Sequence, residues 1–429
     1  MTAHARDFIP NFDDELLCAQ QLEGIRWTLQ HALSSPQYRA KLQAANVCAA
    51  DVRSFADVRR LPFTSAEDLR AGYPLPLLSV PEADVVRIHA SSGTTGKRKI
   101  LAYTRRDLET FHLQMARCYA MAGLTPLDRM QVAVGYGLWT AGAGFQLGSE
   151  HFGMLTIPVG PGNLEMHLNL LVDMQATCFG ATASMALLLA EEVERNNLKH
   201  KLALRKVICG AETRSEKMRI SIEEKLGLEG SYDIGGMTEM YGPGTAIECD
   251  AHAGLHYWAD LFYIEVLNPV TLEPVADGEV GEMVVTSLRK EAAPLIRYRT
   301  RDLTRMIPGL CPCGCNVPRH DKILGRSDDM IIFRGVNVYP GQIMEVIGNF
   351  KELGGEYHVE LTRDEHALDH MRLLVERHPA CTAGEDSALG QSIAKKLHKA
   401  LLARVDVQVV DAGTLPRTFG KSKRVTDSR

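Results

Sequence analysis

The sequence predicts an α/β protein: a large N-terminal domain of mostly parallel sheets packed by helices, with a β-rich subdomain, and a small mobile α+β C-terminal domain. Three observations lead to this prediction. The chain has 429 residues, whereas a single hydrophobic core rarely grows past roughly 250–300 residues. Short apolar runs alternate with helical spacing up to residue 210, and a new α+β pattern begins after Gly325. The predicted boundary therefore separates residues 1–325 from residues 326–429.

The elements predicted for the first domain follow this alternation. Its helices are expected over residues 13–45, 105–122 and 183–195, with Thr104 as the cap of the second. Its strands are expected over residues 85–89, 131–134, 154–159 and 206–210. Residues 255–306 change to a β-rich pattern with turn signals at Asn268-Pro269 and Asp277-Gly278. This pattern indicates antiparallel strands or a small barrel.

The second domain combines both kinds of element. Helices are expected over residues 341–349 and 386–403, and strands over residues 330–333, 336–339, 357–361 and 371–376. This segment of about 100 residues is long enough for a small separate domain.

Composition and charge narrow the class of protein. Hydrophobic residues make up 45% and charged residues 24% of the chain, as in ordinary soluble globular proteins. A formal net charge of −5 leaves no basic excess for a nucleic-acid or membrane partner. No run reaches about 18 apolar residues, and the acidic N-terminal region does not fit a secretory signal. Ten mostly scattered cysteines indicate reduced thiols, so a cytoplasmic enzyme is expected.

The segment from Ser91 to Lys97, SSGTTGK, is the strongest single motif. Its small residues allow the backbone to approach an anion closely, and its N–H groups, hydroxyls and lysine can donate to phosphate oxygens. An ordinary flexible Ser/Gly loop is the competing interpretation. The segment is not a Walker A loop, because Arg98 follows Lys97 where that motif has Ser or Thr, so a P-loop kinase is disfavoured.

Two further segments supply oxygen ligands. In YDIGGMTE, residues 232–239, Thr238 can hold a phosphate oxygen and Glu239 can bind Mg²⁺, which prefers hard oxygen ligands. A turn followed by a capped helix would explain the same residues. In YRTRD, residues 298–302, Asp302 suits the two hydroxyls of a ribose. A charged strand end is the commoner explanation when such a segment stands alone.

The last two segments lie at the predicted domain boundary and at the C-terminus. GRSDDM, residues 325–330, stands where a hinge is expected, because a hinge needs only a few residues that absorb backbone rotation. A surface turn is the alternative. The basic stretch over residues 415–424 is usually a solvated tail, but a lysine on a mobile domain can neutralise charge on a transferring phosphoryl group.

Taken together and in this order, the five segments resemble the core motifs of the adenylate-forming superfamily of acyl-CoA synthetases, peptide-synthetase adenylation domains and luciferases. The resemblance runs from about residue 80 to the end of the chain. Within the superfamily the sequence is most similar to phenylacetate-CoA ligases. The stretches behind this second step are GYGLWT at 135–140, GAE at 210–212, YGPG at 241–244, RYRTRDLT at 297–304, GRSDD at 325–329 and RGVNV at 334–338.

The resemblance implies roles for the matching nucleotide-binding residues. Those implied to cover the β- and γ-phosphates are Ser91, Ser92, Gly93, Thr94, Thr95, Gly96 and Lys97. Those implied to line the adenine pocket or to lie beside the nucleotide are Gly210, Ala211, Glu212, Asp233, Gly236 and Met237. Those implied to hold the α-phosphate, Mg²⁺ and the ribose are Thr238, Glu239, Asp302 and Arg326.

The implied reaction has two steps and uses ATP with Mg²⁺, an acid and coenzyme A. The acid carboxylate attacks the α-phosphorus to give an acyl-adenylate and pyrophosphate, with Lys421 as the catalytic lysine beside Thr238 and Glu239. Lys423 is the second choice, because the tail is one residue shorter than the common pattern. The small domain then rotates about Asp328, and the CoA thiol displaces AMP.

One position departs from the family pattern. Gly235 stands where a tyrosine usually precedes the Gly-Met-Thr-Glu stretch, and the missing ring predicts weaker nucleotide stacking or an acid bulkier than phenylacetate. The aromatics of the Gly-rich stretch are more often core than pocket. The resemblance nevertheless favours the acyl pocket for Tyr136, and Phe145 and Gly235 are the other residues expected there.

A structural zinc site is also expected. Cys249, His256, Cys311 and Cys313 are the favoured ligands, because four N/S ligands from two hairpins suit a closed tetrahedral site. His252 and Cys315 are held in reserve. Family members with a Cys-Pro-Cys-Gly segment are implied to bind zinc there. Buried thiols beside an unrelated histidine are the alternative explanation.

Two other functions share the same fold. A stand-alone adenylation enzyme would load the acid onto a carrier protein instead of CoA, and an inactive homologue would only bind nucleotide. Retention of Lys421, Glu239 and Asp302 argues against the inactive form. The acid itself stays open between phenylacetate, an indoleacetate, an aminobenzoate and hydroxylated relatives. The resemblance also makes a homodimer plausible.

Overall fold

The computed structural model describes residues 7–91, 98–212, 214–328, 331–334, 336–364, 368–401, 403–415 and 424–429. The chain divides into two compact units. The first comprises Met1–Ala211 with Ile222–Lys322, and the second comprises Glu212–Ser221 with Ile323–Arg429. The sequence pattern placed its boundary close to Lys322 but gave no indication that residues 212–221 group with the C-terminal unit.

The helices alternate with strands in the first unit and flank a small sheet in the second. The helices are α1 Asp14–Ala32, α2 Pro36–Ala44, α3 Phe55–Val58, α4 Ala66–Ala71, α5 Arg105–Met121, α6 Thr140–Phe152, α7 Leu164–Asp173, α8 Ala183–Arg195, α9 Glu216–Leu226, α10 Pro340–Gly348 and α11 Asp386–Leu401. Single 3₁₀ turns lie at Ala49–Asp51, Glu82–Asp84, Lys199–Lys201, Thr238–Met240 and Ala383–Glu385. No helix within the described ranges is both long and apolar enough to cross a membrane.

The strands fall into several sheets. They are β1 Arg87–Ala90, β2 Ile100–Tyr103, β3 Arg129–Val132, β4 Leu155–Ile157, β5 Cys178–Thr182, β6 Lys206–Gly210, β7 Gly230–Met237, β8 Gly242–Glu248, β9 Leu255–Tyr257, β10 Phe262–Leu267, β11 Gly281–Ser287, β12 Tyr298–Thr304, β13 Met306–Ile307, β14 Arg319–His320, β15 Gly325–Arg326, β16 Ile331–Phe333, β17 Val336–Val338, β18 Leu353–Arg363, β19 Asp369–Arg377, β20 Asp406–Val410 and β21 Val425–Asp427.

Local capping explains where the helices begin. The Asp13 side chain accepts from the Leu16 amide and starts α1. Pro36 occupies the first turn of α2, so the continuous helical pattern expected over residues 13–45 is broken at Leu33–Ser35. Thr104 and Asp107 form a capping box at the start of α5, as the sequence predicts.

One large sheet organises the first unit. Its order is β13-β14-β9-β8-β7-β6-β5-β3-β4. The half from β4 to β7 is parallel, and the half from β8 to β13 is antiparallel. The parallel half is buried along β5 and β6, as strands covered on both faces are. Because β6 and β7 run parallel, their carboxyl ends lie at one edge of the sheet.

A second sheet fulfils the prediction of antiparallel strands over residues 255–306. Strand β11 pairs with β10 on one side and with β12 on the other, and both pairings are antiparallel. A bulge between Glu282 and Val284 shifts the β11/β12 register. Segment 63–65 joins β12 through a bridge between Thr64 and Tyr298, so an N-terminal segment helps to position this strand.

The N-terminal segment is also tied to the cysteine-rich stretch. The Phe12 amide donates to Asn316 Oδ1 at 3.2 Å, and Asn316 Nδ2 donates back to the Phe12 carbonyl. This side-chain amide pairs with the backbone much as a neighbouring strand would. Phe12 is therefore held beside Asn316, the residue that follows Cys315.

The second unit has its own core. Strand β18 pairs antiparallel with β19 and parallel with β21, and β20 runs parallel to β19. Apolar side chains from the sheet and from α10 and α11 form one cluster that includes Ile343, Val359, Leu373, Ile393 and Leu397. A separate core of this kind is what lets a small domain fold as a unit.

Candidate active site

The carboxyl ends of β6 and β7 form the floor of the candidate site. Gly210 ends β6 opposite Ile234 of β7. A Cβ at Gly210 would lie 2.2 Å from the Ile234 carbonyl oxygen, so only glycine fits there. Ala211 follows with φ at +68°, a left-handed conformation that a non-glycine residue rarely adopts. Backbone of this kind often occurs at ligand sites.

The end of β7 is irregular in a way that exposes backbone. The β7/β8 register shifts between Gly235 and Gly236, and β7 ends at Met237. Asp233 lies earlier on the strand and is half-buried. A 3₁₀ turn over Thr238–Met240 follows directly. The predicted nucleotide-binding stretch is thus a bulged strand followed by a short turn.

Buried contacts hold this turn. Thr238 and Glu239 are both buried, and the Tyr103 hydroxyl donates to the Thr238 carbonyl at 2.8 Å. Because Tyr103 lies at the end of β2, the strand that follows the Ser/Gly/Thr loop also supports the Thr238–Glu239 turn. Two segments far apart in the sequence are therefore coupled here.

Glu239 has two side-chain partners on one carboxylate oxygen. The Lys99 ammonium contacts Oε1, and the Tyr298 hydroxyl donates to Oε1 at 3.0 Å. The Lys99 Nζ also lies 3.4 Å from the Tyr298 hydroxyl. Sequence analysis missed Lys99 and Tyr298 as partners of Glu239, because neither belongs to the motif that contains the glutamate.

These partners determine the charge state of the glutamate. Burial alone would raise the pKa of Glu239, but the Lys99 ammonium and the hydrogen bonds from Lys99 and Tyr298 outweigh burial and hold the pKa below its ordinary value. The glutamate is therefore an anion at neutral pH although only 3% of its surface is exposed.

A second lysine lies beneath the turn. The Lys290 side chain is fully buried, with Nζ 4.9 Å from the Tyr103 ring centre and 5.4 Å from the Tyr241 ring centre. Its Nζ donates to the Ala293 carbonyl at 3.1 Å. Burial lowers the pKa of Lys290, while Asp107 and Glu239 act in the opposite direction. Sequence analysis did not single out this residue.

The predicted ribose and hinge residues fall in different units. Asp302 is half-buried on β12, the strand that also carries Tyr298, and its amide donates to Thr300 Oγ1 at 3.0 Å. In the second unit, Arg326 makes a two-pronged ion pair with Asp328, with Nε–Oδ1 at 2.8 Å and Nη2–Oδ2 at 2.9 Å. The structure describes Glu212 at the start of the segment that groups with the second unit.

Several predicted residues lie outside the described part of the chain. They are Ser92, Gly93, Thr94, Thr95, Gly96, Lys97, Lys421 and Lys423. Ser91 is described, and its amide donates to the Lys99 carbonyl at 3.1 Å, which closes the base of the loop where β1 and β2 pair.

The two aromatic residues expected in the acyl pocket have different surroundings. Tyr136 keeps 38% of its surface exposed and packs against Gly142, where a Cβ would lie 2.8 Å from its ring. Partial burial raises the pKa of Tyr136 to about 12. Phe145 is 2% exposed and packs against Gly180, where a Cβ would lie 2.5 Å from its ring. The structure therefore places Phe145 in the core.

The four favoured metal ligands come together in the first unit. One ligand atom from each of Cys249, His256, Cys311 and Cys313 lies within 4.8 Å of all the others. The Cys249 and Cys311 sulfurs are 3.6 Å apart, and the Cys313 sulfur is 3.6 Å from His256 Nε2. The reserve residues are not part of this group: His252 contacts Glu248 at 3.3 Å and stacks on Tyr232, and Cys315 is buried separately.

The spacing of these atoms suits zinc. Tetrahedral bonds of about 2.3 Å to sulfur and 2.0–2.1 Å to nitrogen put two sulfurs roughly 3.8 Å apart and sulfur and nitrogen roughly 3.6 Å apart. His256 Nδ1 donates to the Val317 carbonyl at 2.8 Å, which leaves Nε2 free to face the thiols. The residues present therefore fit a closed Cys₃His zinc site.

The fold and the site define a class of protein. The parallel strands end in a bulged, Gly-rich strand that leads into a buried Thr-Glu turn, and a separate C-terminal unit follows. This arrangement is expected of an adenylate-forming enzyme. The family of AMP-binding enzymes matches residues 26–288, and the AMP-binding enzyme C-terminal domain matches residues 335–429. The chain belongs to this family.

Individual relatives narrow the assignment. The chain is 41% identical to the phenylacetate-coenzyme A ligase of Escherichia coli (strain K12) over 97% of its own length and 95% of the relative's. It therefore belongs to the phenylacetate-CoA ligase family of AMP-forming acid–CoA ligases.

Two solved structures are similar over most of the chain, and both are of a 2-hydroxyisobutyryl-CoA ligase. The structure with R3-HIB-AMP in the postadenylation state is 28% identical, with a TM-score of 0.85, and the match covers 95% of this chain and 89% of that one. An open conformation with 2-HIB-AMP and CoA is 27% identical, with a TM-score of 0.73 and coverage of 95% and 90%. These matches confirm the predicted fold class.

Proposed function

We propose that this chain activates an aromatic or arylacetic acid with ATP and transfers the acyl group to coenzyme A. The observation that carries the proposal is the buried Thr238–Glu239 turn at the end of β7, in a chain that matches a phenylacetate-CoA ligase over nearly its full length. ATP, the acid and CoA are the substrates, and AMP and pyrophosphate are the other products.

The bonds change in two displacements. A carboxylate oxygen of the acid bonds to the α-phosphorus while the bond to the bridging oxygen of pyrophosphate breaks. The CoA sulfur then bonds to the acyl carbon, the thiol proton passes to solvent, and the bond between the acyl carbon and the phosphate oxygen breaks to release AMP. Thr238 would hold an α-phosphate oxygen and Asp302 the ribose hydroxyls, so these residues orient the phosphorus for in-line attack.

The catalytic lysine of the first step is proposed to be Lys421, which lies outside the described residues, with Lys423 as the second choice. An ammonium at the reacting phosphoryl group offsets the charge that develops there. Alanine in place of the correct lysine should slow adenylate formation by about a hundredfold or more while thioester formation from supplied acyl-adenylate continues. Normal adenylate formation in both variants would contradict this role.

Mg²⁺ is the expected partner of ATP, and it would neutralise phosphate charge when bound. Glu239 supplies the hard oxygen that Mg²⁺ prefers. Its charge, however, is already balanced by Lys99. The Glu239 carboxylate is therefore a suitable type of ligand for Mg²⁺, but its negative charge is already neutralised by Lys99.

The acid is proposed to be an aromatic one, larger than phenylacetate. This part of the proposal rests on the missing family tyrosine at Gly235, where even a Cβ would touch Leu255 at 3.3 Å and Ala246 at 3.6 Å. Tyr136, the half-exposed aromatic residue, is the proposed contact for the ring of the acid.

The direct test is a screen for acid-dependent pyrophosphate release. Aryl and arylacetic acids would be offered with ATP and Mg²⁺, with and without CoA, and the acyl-CoA product measured. The proposal expects release with at least one aromatic acid and an acyl-CoA product. Pyrophosphate release followed by transfer only to a holo carrier protein would favour the stand-alone adenylation enzyme. Release with none of the acids would favour the nucleotide-binding homologue.

We further propose a structural zinc ion on Cys249, His256, Cys311 and Cys313. The ion would tie β9 and the end of β8 to the Cys311–Cys313 turn, and so would support the antiparallel half of the large sheet. A cytoplasmic location and a homodimer complete the proposal. Sedimentation of the purified chain tests the second of these, because a monomeric mass at micromolar concentration would exclude it.

A further inference from the structure

The charge balance at Glu239 is unusual for a residue proposed to hold a metal ion. The Glu239 side chain is 4% exposed, and an ionised carboxylate buried to that extent needs a counter-charge. In this chain the counter-charge is the Lys99 ammonium, which contacts Oε1 directly. The pair is therefore complete without any divalent cation.

A divalent cation on Glu239 and the Lys99 ammonium would share one buried carboxylate. Oε1 already accepts from Lys99 and from Tyr298, so a metal ion would bind through Oε2 or replace these donors. In either case two positive charges would lie close together in a poorly solvated place. Metal binding therefore weakens the contact between Lys99 and Glu239.

The surroundings of Lys99 allow its ammonium group to leave the Glu239 carboxylate. Its backbone is fixed, because its carbonyl accepts from the Ser91 amide and the next residue begins β2. Its side chain is long and keeps 18% of its surface exposed, so the ammonium can reach solvent without unfolding its surroundings. It also lies two residues after Lys97, the last residue of the predicted phosphate loop.

We propose that Lys99 is an internal counter-ion of Glu239 that competes with the divalent cation and is released from the carboxylate when metal–nucleotide binds. This inference rests on the proposed function, because it takes Glu239 as the metal-binding carboxylate. Lys99 is a positioning residue: it balances the charge of Glu239 and holds Oε1 in place, and it lowers the affinity of the carboxylate for the metal.

The test measures metal binding directly. Mn²⁺ would replace Mg²⁺, free Mn²⁺ would be counted by electron paramagnetic resonance, and the full chain would be saturated with the non-hydrolysable α,β-methylene-ATP. Lys99→Met should bind Mn²⁺ about tenfold more tightly than the parent chain, because a like charge has been removed beside the ligand. Lys99→Arg, which keeps the charge, should stay within about threefold of the parent.

A matched control removes a different ion-paired lysine. Lys41 contacts Asp68 at 2.6 Å in the N-terminal region, so Lys41→Met should leave Mn²⁺ affinity unchanged. Equal or weaker Mn²⁺ binding by Lys99→Met would overturn the proposal. If Lys99→Met does not fold, Lys99→Gln keeps a hydrogen-bond donor without charge, and the same tightening is expected of it.

The Glu239→Gln variant tests whether the effect passes through the carboxylate. In that background, adding Lys99→Met should not tighten Mn²⁺ binding further, and a full tenfold gain there would overturn the proposal. None of these measurements needs turnover. If no acid releases pyrophosphate but Lys99→Met tightens Mn²⁺ binding, the proposed function fails and the counter-ion role stands. If an acid does release pyrophosphate but Lys99→Met does not tighten Mn²⁺ binding, only the counter-ion role fails.

Discussion

At the scale of single residues, Gly235 and Gly236 stand side by side in the β7 bulge but in different surroundings. A Cβ at Gly236 would lie 2.3 Å from the Gly242 carbonyl oxygen and 2.7 Å from Pro243 Cα, which are backbone atoms that cannot move away cheaply. At Gly235 the nearest atom is the end of the Leu255 side chain at 3.3 Å. The tight neighbour of Gly235 is the end of a side chain that can shift, whereas Gly236 is required by the bulge.

This contrast gives a paired prediction for stability. Gly235→Ala should change the free energy of unfolding by less than about 1 kcal/mol, because Leu255 can adjust. Gly236→Ala should cost about 1–3 kcal/mol or more, because the methyl group meets backbone. Urea denaturation of the two variants checks this. Equal costs would show that the bulge relaxes at both positions.

The same position gives a prediction for selectivity. Gly235→Tyr restores the side chain that the family pattern usually has. We expect kcat/KM for acids larger than phenylacetate to fall about tenfold or more, while phenylacetate is affected less, because the ring occupies space the larger acids would use. A competition assay with two acids measures this ratio. An unchanged ratio would place the acyl pocket elsewhere.

At the scale of elements, the small antiparallel sheet is anchored by a buried ion pair. Arg297, directly before β12, pairs with Glu265 of β10 through two bonds of 3.0 Å, and both residues are buried. The Arg297 guanidinium also donates to the carbonyls of Arg59 and Leu61. One side chain therefore ties the sheet to the N-terminal segment.

Removing this arginine should be costly. Arg297→Met leaves Glu265 buried without a partner, and we expect a loss of about 3–5 kcal/mol in unfolding free energy. Arg305→Met is the control, since Arg305 pairs with Asp321 at a half-exposed position where an ion pair contributes about 0–1 kcal/mol. Chemical denaturation compares the two. Similar small losses would mean that water replaces Arg297.

The cysteine cluster makes a prediction about metal content. Chain produced in zinc-replete medium should contain about one equivalent of zinc, and Cys311→Ser and Cys313→Ser should contain less than about half an equivalent. Cys315→Ser should keep the parent's zinc, because Cys315 lies outside the four-ligand group. Elemental analysis gives the content, and chelation should lower Tm. Zinc loss in Cys315→Ser would assign the ligands differently.

At the scale of the whole molecule, the Arg326–Asp328 pair lies on the exposed surface of the second unit. Such a pair contributes little to stability, so Asp328→Ala should leave Tm nearly unchanged. Asp328→Pro fixes φ at the proposed hinge and restricts the residue before it. We expect thioester formation to slow by about tenfold or more while adenylate formation stays within about threefold.

The two half-reactions are measured separately in this test. Pyrophosphate release reports the first, and acyl-CoA formation from supplied acyl-adenylate reports the second. Equal slowing of both would mean that the proline disturbs the fold or that residue 328 is not the hinge.

Whether a feature could be predicted from the sequence depends on how far apart along the chain its residues lie. The αβ alternation, the Thr104 cap and the antiparallel strands after residue 255 are local patterns, and each is found in the structure. The cysteine cluster joins residues 62 positions apart, and it was predicted with the help of the family resemblance, in which a Cys-Pro-Cys-Gly segment is implied to bind zinc. The Lys99–Glu239 contact joins residues 140 positions apart, and no local pattern reports such a pair.

The reciprocal amide pairing of Phe12 with Asn316 has a practical consequence for protein production. A shortened chain that lacks Phe12 would lose both hydrogen bonds at the residue that follows Cys315. A cleavable polyhistidine tag, removed before analysis, would keep added imidazoles out of the zinc measurement.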